Sequence, residues 1–204
     1  MNQIAGCKPF SIILLRHGLL HLYFFHAMIC ISNYDAYCNG NVTIITGMEE
    51  FVCPVCGGNE YKVHGTCCRK VRTREGTRRF RLRILRCCGC GRTHRELPEG
   101  IIPYRRFCAE SLAEIAEADP QAQVDALTDN DPVDYEYNTW RRIRRWLSGF
   151  IRYAQFITES LRLSGLYIPA EKSGKKLSEQ LSYFVRLVVN SGNWQQHRSV
   201  LSVS

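Results

Sequence analysis

The sequence predicts an α+β protein, with a small cysteine-clamped β-hairpin domain followed by an α-helical C-terminal region. Three observations predict it. Two Cys-x-x-Cys turns, Cys53/Cys56 in "CPVCGG" and Cys87/Cys90 in "CCGCGRTH", bracket one stretch of chain. Between them, apolar and cationic residues alternate with a period of two, which is the pattern of a half-buried strand. Beyond Tyr104 the apolar spacing changes to that of helices.

The strands come first. Residues 28–50 form a short β lead-in, with β-branched runs "MICIS" and "NVTIIT" on either side of a turn-rich "NYDAYCNGN". Residues 51–103 hold the cysteines and the arginines. There Phe80, Leu82 and Ile84 fall on one face and Arg79, Arg81 and Arg83 on the other. In the preceding run Lys70, Arg72 and Arg74 share a face. "REGT" supplies the turn, with Gly76 free to take positive φ. The expectation is a hairpin of strands 61–74 and 78–87, with a cysteine turn at each outer end.

Residues 104–204 read as helical. "AESLAEIAEA" predicts a helix over 109–118, and an acidic, proline-containing linker follows at 125–138. A long helix is expected over 137–164. Its apolar residues Trp140, Ile143, Leu147, Phe150, Ala154, Ile157 and Leu161 recur at alternating steps of three and four, a seam of the heptad kind. A last helix over 176–189 carries a stripe of Leu177, Leu181, Phe184/Val185 and Val188. The seam can pack on that stripe within one chain, or through the 140–161 helix on a second copy in a homodimer.

Residues 1–27 form an extension with three open readings. The run 10–31, "FSIILLRHGLLHLYFFHAMICI", is apolar enough to suggest a membrane span, but Arg16, His17, His21 and His26 interrupt it. An arginine near the middle of a span costs ~2.5–3.5 kcal/mol on insertion scales. The alternatives are a packed or disordered extension, and upstream sequence preceding a natural start at Met28.

Charge and cysteine chemistry narrow the function. The net charge is +8, yet residues 69–95 hold eleven Lys/Arg against the single acid Glu75, so the remainder is slightly acidic. A concentrated basic block points to an acidic polymer. Eleven cysteines is an odd number, which argues against a secreted disulfide framework and for thiolates in a reducing, cytoplasmic setting. A Cys-x-x-Cys turn puts two thiolates on one tight knuckle, and two such knuckles complete a zinc tetrahedron. Gly57 and Gly91 follow the second cysteine of each turn, and Pro54 stiffens the first. Cys53, Cys56, Cys87 and Cys90 are therefore the expected ligands of one structural Zn2+, making the unit a zinc ribbon. Cys88-x-Cys90 is poor ligand spacing; Cys67 and Cys68 read as ordinary strand residues, and His64 and His94 as packing or hydrogen-bonding groups rather than ligands.

A ribbon this small cannot bury enough apolar surface to hold a hairpin unaided, and a metal supplies the difference. Its outer face is then free to carry cations. Lys70, Arg72, Arg74, Arg79, Arg81 and Arg83 are candidate contacts to a nucleic-acid backbone, duplex DNA in the first instance. The plainer readings are a solvated cationic face or a surface for an acidic protein, with the chain a protein-interaction module. No catalytic constellation stands out and no small-molecule substrate is implied. A transposase core needs three spaced carboxylates on a five-stranded sheet, for which the chain after the ribbon has no room.

"FVCPVCGG", the arginine-rich run and "LRCCGCGRTHRELPEGIIPYRRF" together resemble an uncharacterised bacterial zinc-ribbon family, a domain of unknown function. That family is similar to the N-terminal ribbons of insertion-sequence transposases. The resemblance covers roughly residues 28–118 and, more weakly, "NTWRRIRRWLSGF". It implies a helix-turn-helix after the ribbon, whose recognition segment falls on 139–146 with Thr139, Arg141, Arg142 and Arg145 as DNA contacts. It places His94 and Pro98 in an "RTH…LP" signature. It also implies a transposase-associated or regulatory role, beside a transposase or integrase. Cys88 and the acidic linker depart from the pattern.

Overall fold

A computed structural model describes residues 27–118, 137–166 and 176–194. The chain is α+β. Six strands, β1 (Ala27–Ile31), β2 (Tyr34–Asn39), β3 (Val42–Gly47), β4 (Tyr61–Thr73), β5 (Gly76–Cys87) and β6 (Thr93–Pro98), precede three helices, α1 (Ala109–Glu117), α2 (Tyr137–Leu163) and α3 (Leu177–Asn190). The three predicted helices agree with these bounds to within a residue.

The long strand β5 organises one mixed sheet. Along one edge it pairs antiparallel with β4 over its full length. Its other edge is shared. Residues 79–81 pair parallel with β3, and residues 84–86 pair antiparallel with β6. β1 then adds parallel to β6, and β2 adds antiparallel to β3. The hairpin turn is Arg74-Glu75, with Gly76 at φ +118 just beyond it, a conformation that glycine takes at little cost. A bulge between Val63 and Gly65 leaves His64 without a cross-strand partner.

Two strands were not expected. The "NYDAYCNGN" stretch is not a loop: residues 34–39 form β2, and the turn is only Gly40-Asn41. Its two turn formers at the end outweigh the polar residues before them, whose side chains stand on a solvated edge strand. β6, "THRELP", carries three charged or titratable residues and does not read as a strand. It forms because His94 is buried against Cys53 of the first cysteine turn and Glu96 against Arg83 of β5.

One core joins these parts. Val71, Leu82, Ile45 and Leu97 on the sheet meet Leu112 and Ile115 of α1, Phe150 of α2, and Leu181 and Val185 of α3. The lead-in strands, the hairpin and the helices share this cluster. Of the α2 seam, every residue but the half-buried Leu161 is buried, against α1 and α3. The seam is thus covered within one chain, the first of its two expected arrangements. Trp146 joins it, stacked on Phe150 at 5.3 Å between ring centroids.

Helix α3 also closes the free edge of β1. The Asn190 amide accepts from the Cys30 N–H at 2.8 Å and donates to the Cys30 carbonyl at 2.9 Å, doing for that residue what another strand would do. Of the apolar run 10–31, residues 27–31 are this strand and the rest lie outside the described residues, with the Met28-start reading. Among the described residues, no helix is long and apolar enough to cross a membrane.

Glu49 ties the lead-in to α3. Its carboxylate accepts from the Ser32 hydroxyl and from the Ser32 and Asn33 N–H groups, and pairs with Arg186 at 3.2 Å. Burial pushes its pKa up, but these hydrogen bonds and the Arg186 charge outweigh it, so the carboxyl sits below its ordinary value of 4.5. A depressed folded pKa gives stability that is complete above the unfolded value and lost as pH falls through the folded one. Glu49→Gln should therefore flatten the acid limb of the stability–pH curve below about pH 4.5. Urea titrations between pH 3 and 7 check this, and an unchanged acid limb would count against the linkage.

Candidate metal centre and cationic face

The two cysteine turns are built alike. In the first, the Cys53 N–H donates to the Gly58 carbonyl and the Gly57 N–H donates to the Cys53 carbonyl, each at 2.8 Å. In the second, Cys87 N–H donates to Arg92 at 2.9 Å and Gly91 N–H donates to Cys87 at 3.0 Å. Gly57 and Gly91 close them at φ +72 and +70. This folding points backbone N–H groups at sulfur: those of Val55 and Cys56 at Cys53, and those of Gly89 and Cys90 at Cys87. Residues 53 and 87 are brought together because the second turn continues β5, while the first is held beside its end by Phe51 and Leu85.

The four sulfurs form one cluster. Cys53 and Cys90 Sγ are 3.6 Å apart, as are Cys56 and Cys87 Sγ, and all four atoms lie within 4.8 Å of one another. A zinc–sulfur bond of ~2.3 Å in a regular tetrahedron places sulfurs about 3.8 Å apart. The predicted set is thus assembled at metal-binding distance, and all four cysteines are free thiols. Burial raises Cys53 to about 12. It pushes Cys87 up too, but N–H groups of Cys90 and Gly89 and the Cys56 thiol outweigh it and bring Cys87 down to about 7. Four thiolates this close repel unless a cation lies among them.

The other cysteines and histidines stay out of the cluster. Cys88 is exposed, its N–H bonded to the Glu60 carbonyl at 2.9 Å; Cys68 is exposed, Cys67 half-buried. His64 is exposed at the bulge. His94 is fully buried, with Nε2 3.3 Å from Cys53 Sγ and its ring edge-on to Phe51. Burial, then the Arg92 charge, push its pKa down, which favours the neutral ring. Nδ1 is buried without a hydrogen-bond partner. A neutral ring with Nε2–H donating to the Cys53 sulfur fits this arrangement, and the hydrogen-bonding role expected for His94 is the one its position allows.

The hairpin faces are fixed by register. Lys70 stands opposite Arg79, Cys68 opposite Arg81, Thr66 opposite Arg83 and Arg72 opposite Thr77. These residues share the outer face, while Cys67, Val71, Phe80 and Leu82 face the main core. Lys70, Arg72, Arg74, Arg79 and Arg81 are exposed. Arg72 also lies over the Phe107 ring, 5.8 Å from its centroid, and Arg74 is 3.6 Å from Glu114. Arg83 is different. It grips the Glu96 carboxylate with Nε and a terminal nitrogen, at 2.6 and 2.8 Å, and donates to the Gly47 carbonyl at 2.8 Å. With its side chain 18 % exposed, it is committed inside the protein and is not available as a contact. Alternation alone could not reveal this, because its partner lies on the unforeseen strand β6.

On α2, Arg141, Arg142 and Arg145 are exposed, while the Thr139 side chain lies outside the described residues. Residues 119–136, where a first helix-turn-helix helix was implied, also lie outside them. The sequence reading missed the loop of Tyr104, Arg105 and Arg106. Arg106 offers its carbonyl to the Arg72 N–H at 2.6 Å. The Arg105 guanidinium covers Trp146, 4.3 Å from a ring centroid. Burial, then the nearby Arg142 charge, lower the Arg105 pKa. The loop therefore joins the cationic hairpin to the cationic start of α2. The clustering "YRRF" was its only sequence signal.

A family described as "Domain of unknown function (DUF6431)" matches residues 53–146. The match starts at the first cysteine of the cluster and ends at Trp146, spanning the hairpin, β6, α1 and the first arginines of α2, Arg141 to Arg145. No curated protein and no solved structure matches the chain.

Proposed function

We propose that this is a non-catalytic nucleic-acid-binding protein in which a structural zinc ion, held by Cys53, Cys56, Cys87 and Cys90, fixes a zinc-ribbon hairpin whose outer face contacts phosphate. Four thiolates fill the coordination shell of zinc and leave no position for substrate. The observation that carries the reading is the cross-strand pair Lys70–Arg79, with Arg81 and Arg72 beside it. Like charges directly opposite in a sheet are destabilising. None of Lys70, Arg79 and Arg81 has an ion pair among the described residues. Such a face gains most from a polyanion, whose phosphates supply the missing countercharge. Arg106 of the loop and Arg141, Arg142 and Arg145 of α2 are further exposed cations in the same chain. A transposase-associated or regulatory setting, in a reducing compartment, accords with this reading.

The test is salt dependence. Each phosphate contact gives a log Kd against log salt slope of about 0.9 for duplex and about 0.7 for single strands. Arg79→Ala with Arg81→Ala should weaken binding to all sequences and lower the slope by roughly 1.4–1.8 units. Fluorescence anisotropy between 50 and 200 mM salt measures both. If zinc-loaded protein binds neither DNA nor RNA at about 50 mM salt, where even non-specific basic proteins bind, the face serves an acidic protein instead.

A further inference from the structure

The sheet face that carries the hairpin cations continues onto β3 and β2, which add no cation and one carboxylate, Asp35, but present an aromatic ring. Tyr37 pairs with Ile44, Ile44 with Arg81, and Arg81 with Cys68. The next row runs Asn39, Val42, Arg79, Lys70. Residues directly opposite in a sheet share a face, so Tyr37 and Arg81 project from the same side. At about 4.8 Å per strand, the backbones of Tyr37 and Arg81 stand roughly 10 Å apart, with half-buried Ile44 between them. Tyr37 is 58 % exposed and has no hydrogen bond or ring contact among the described residues.

We infer that this face binds a single-stranded polynucleotide, with an unpaired base stacked on Tyr37 and the flanking phosphates on Arg81, Arg79 and Lys70. The inference rests on the nucleic-acid reading above and names the form of the partner. Two arguments carry it. An aromatic ring beside cations on an open sheet matches the two faces of a single strand, a flat apolar base and an anionic backbone. A duplex cannot use the ring, because its bases are stacked inside. Nor can this face enter a duplex groove: four strands side by side are wider than the about 12 Å major groove, which admits one helix or a two-stranded ribbon. Stacking and phosphate contact are common to DNA and RNA, so both are probes.

The experiment compares fluorescein-labelled 12-nucleotide single-stranded DNA, RNA of the same sequence and the corresponding DNA duplex, on full-length zinc-loaded protein. A single strand should bind more tightly than the duplex. Tyr37→Ala should weaken single-strand binding by about 5-fold or more, the low end of what loss of one stacked base costs. It should leave duplex binding within about twofold, and Tyr37→Phe should retain affinity for the single strand. Tyr37 is exposed, so Tyr37→Ala should keep its zinc content and circular dichroism. If the duplex binds more tightly than either single strand, or if Tyr37→Ala matches the parent on single strands, the inference is overturned. If in those cases Arg79→Ala with Arg81→Ala still weakens duplex binding, the nucleic-acid reading stands without it. Absence of all binding overturns both.

Discussion

Replacing Cys87 by serine is expected to abolish stoichiometric zinc binding and to unfold the cysteine end of the hairpin while its far end stays folded. Among the described residues, the buried hydrophobic cluster at that end is Phe51, Cys53, Leu85 and Cys87, with Ile29 packed against it, so half of the buried set is metal ligand. That is too little apolar surface to fix two turns without a metal. Structural zinc sites in small peptides contribute about 10–16 kcal/mol, as much as whole domains have in total. The other end of the hairpin is held separately, by Val71 and Leu82 in the main core. Loss of the ion should therefore be felt locally. The amides of Cys53, Gly57, Cys87 and Gly91, hydrogen-bonded within the turns, should lose protection from hydrogen exchange, whereas those around Val71 and Leu82 should largely keep it. A strong chelator should reproduce the pattern. Cys68→Ser, on an exposed strand face, should change neither metal content nor exchange. Metal analysis should find about one zinc per parent chain and none in Cys87→Ser. A Cys87→Ser protein with full zinc and protected turns would refute the assignment.

The parts of this fold that were legible in the sequence are those governed by short-range rules. The turns at Cys53/Cys56 and Cys87/Cys90 are set by local backbone geometry, and the four sulfurs fall together as their spacing predicts. The helices follow from apolar periodicity, and Trp140 through Ile157 are buried as expected. What was not legible depends on distant pairing. β6 is a strand because Arg83, thirteen residues earlier, neutralises Glu96 and because the cysteine cluster receives His94. Nothing in "THRELP" taken alone carries that information. Likewise β5 reads as one alternating strand, but its outer face changes character along its length. Arg79 and Arg81 are exposed, Arg83 is captured, and Leu85 and Cys87 are buried. A period of two finds the face; what covers each part of it comes from strands placed elsewhere in the chain.

The captured arginine has a large expected effect of its own. Glu96→Ala should destabilise the protein by about 3–5 kcal/mol, because it leaves the Arg83 charge inside the fold with no countercharge, only the Gly47 carbonyl. The carboxylate side chain is 5 % exposed and receives two nitrogens of one guanidinium, the planar two-bond geometry that makes such pairs strong. The Glu96 hydrogen bond, opposed by burial, holds the Arg83 pKa above its ordinary value, so the arginine cannot escape by losing its proton. The site also constrains β3: a Cβ at Gly47 would lie 2.6 Å from Glu96 Oε1, so the backbone must approach the carboxylate here without a side chain. Gly47→Ala should accordingly be destabilising too. In a chain of this size each kcal/mol moves the melting temperature by about 2–4 °C, so Glu96→Ala should lower it by roughly 6–20 °C. Removing both charges should cost less than the single change, since replacing a buried pair with apolar residues of similar volume is often nearly neutral. The double variant Arg83→Met/Glu96→Leu should therefore recover much of the loss. Thermal unfolding of the parent, Arg83→Met, Glu96→Leu and the double variant completes the cycle. Additive losses would mean that Arg83 and Glu96 do not act as a pair, and would return Arg83 to the exposed cationic face.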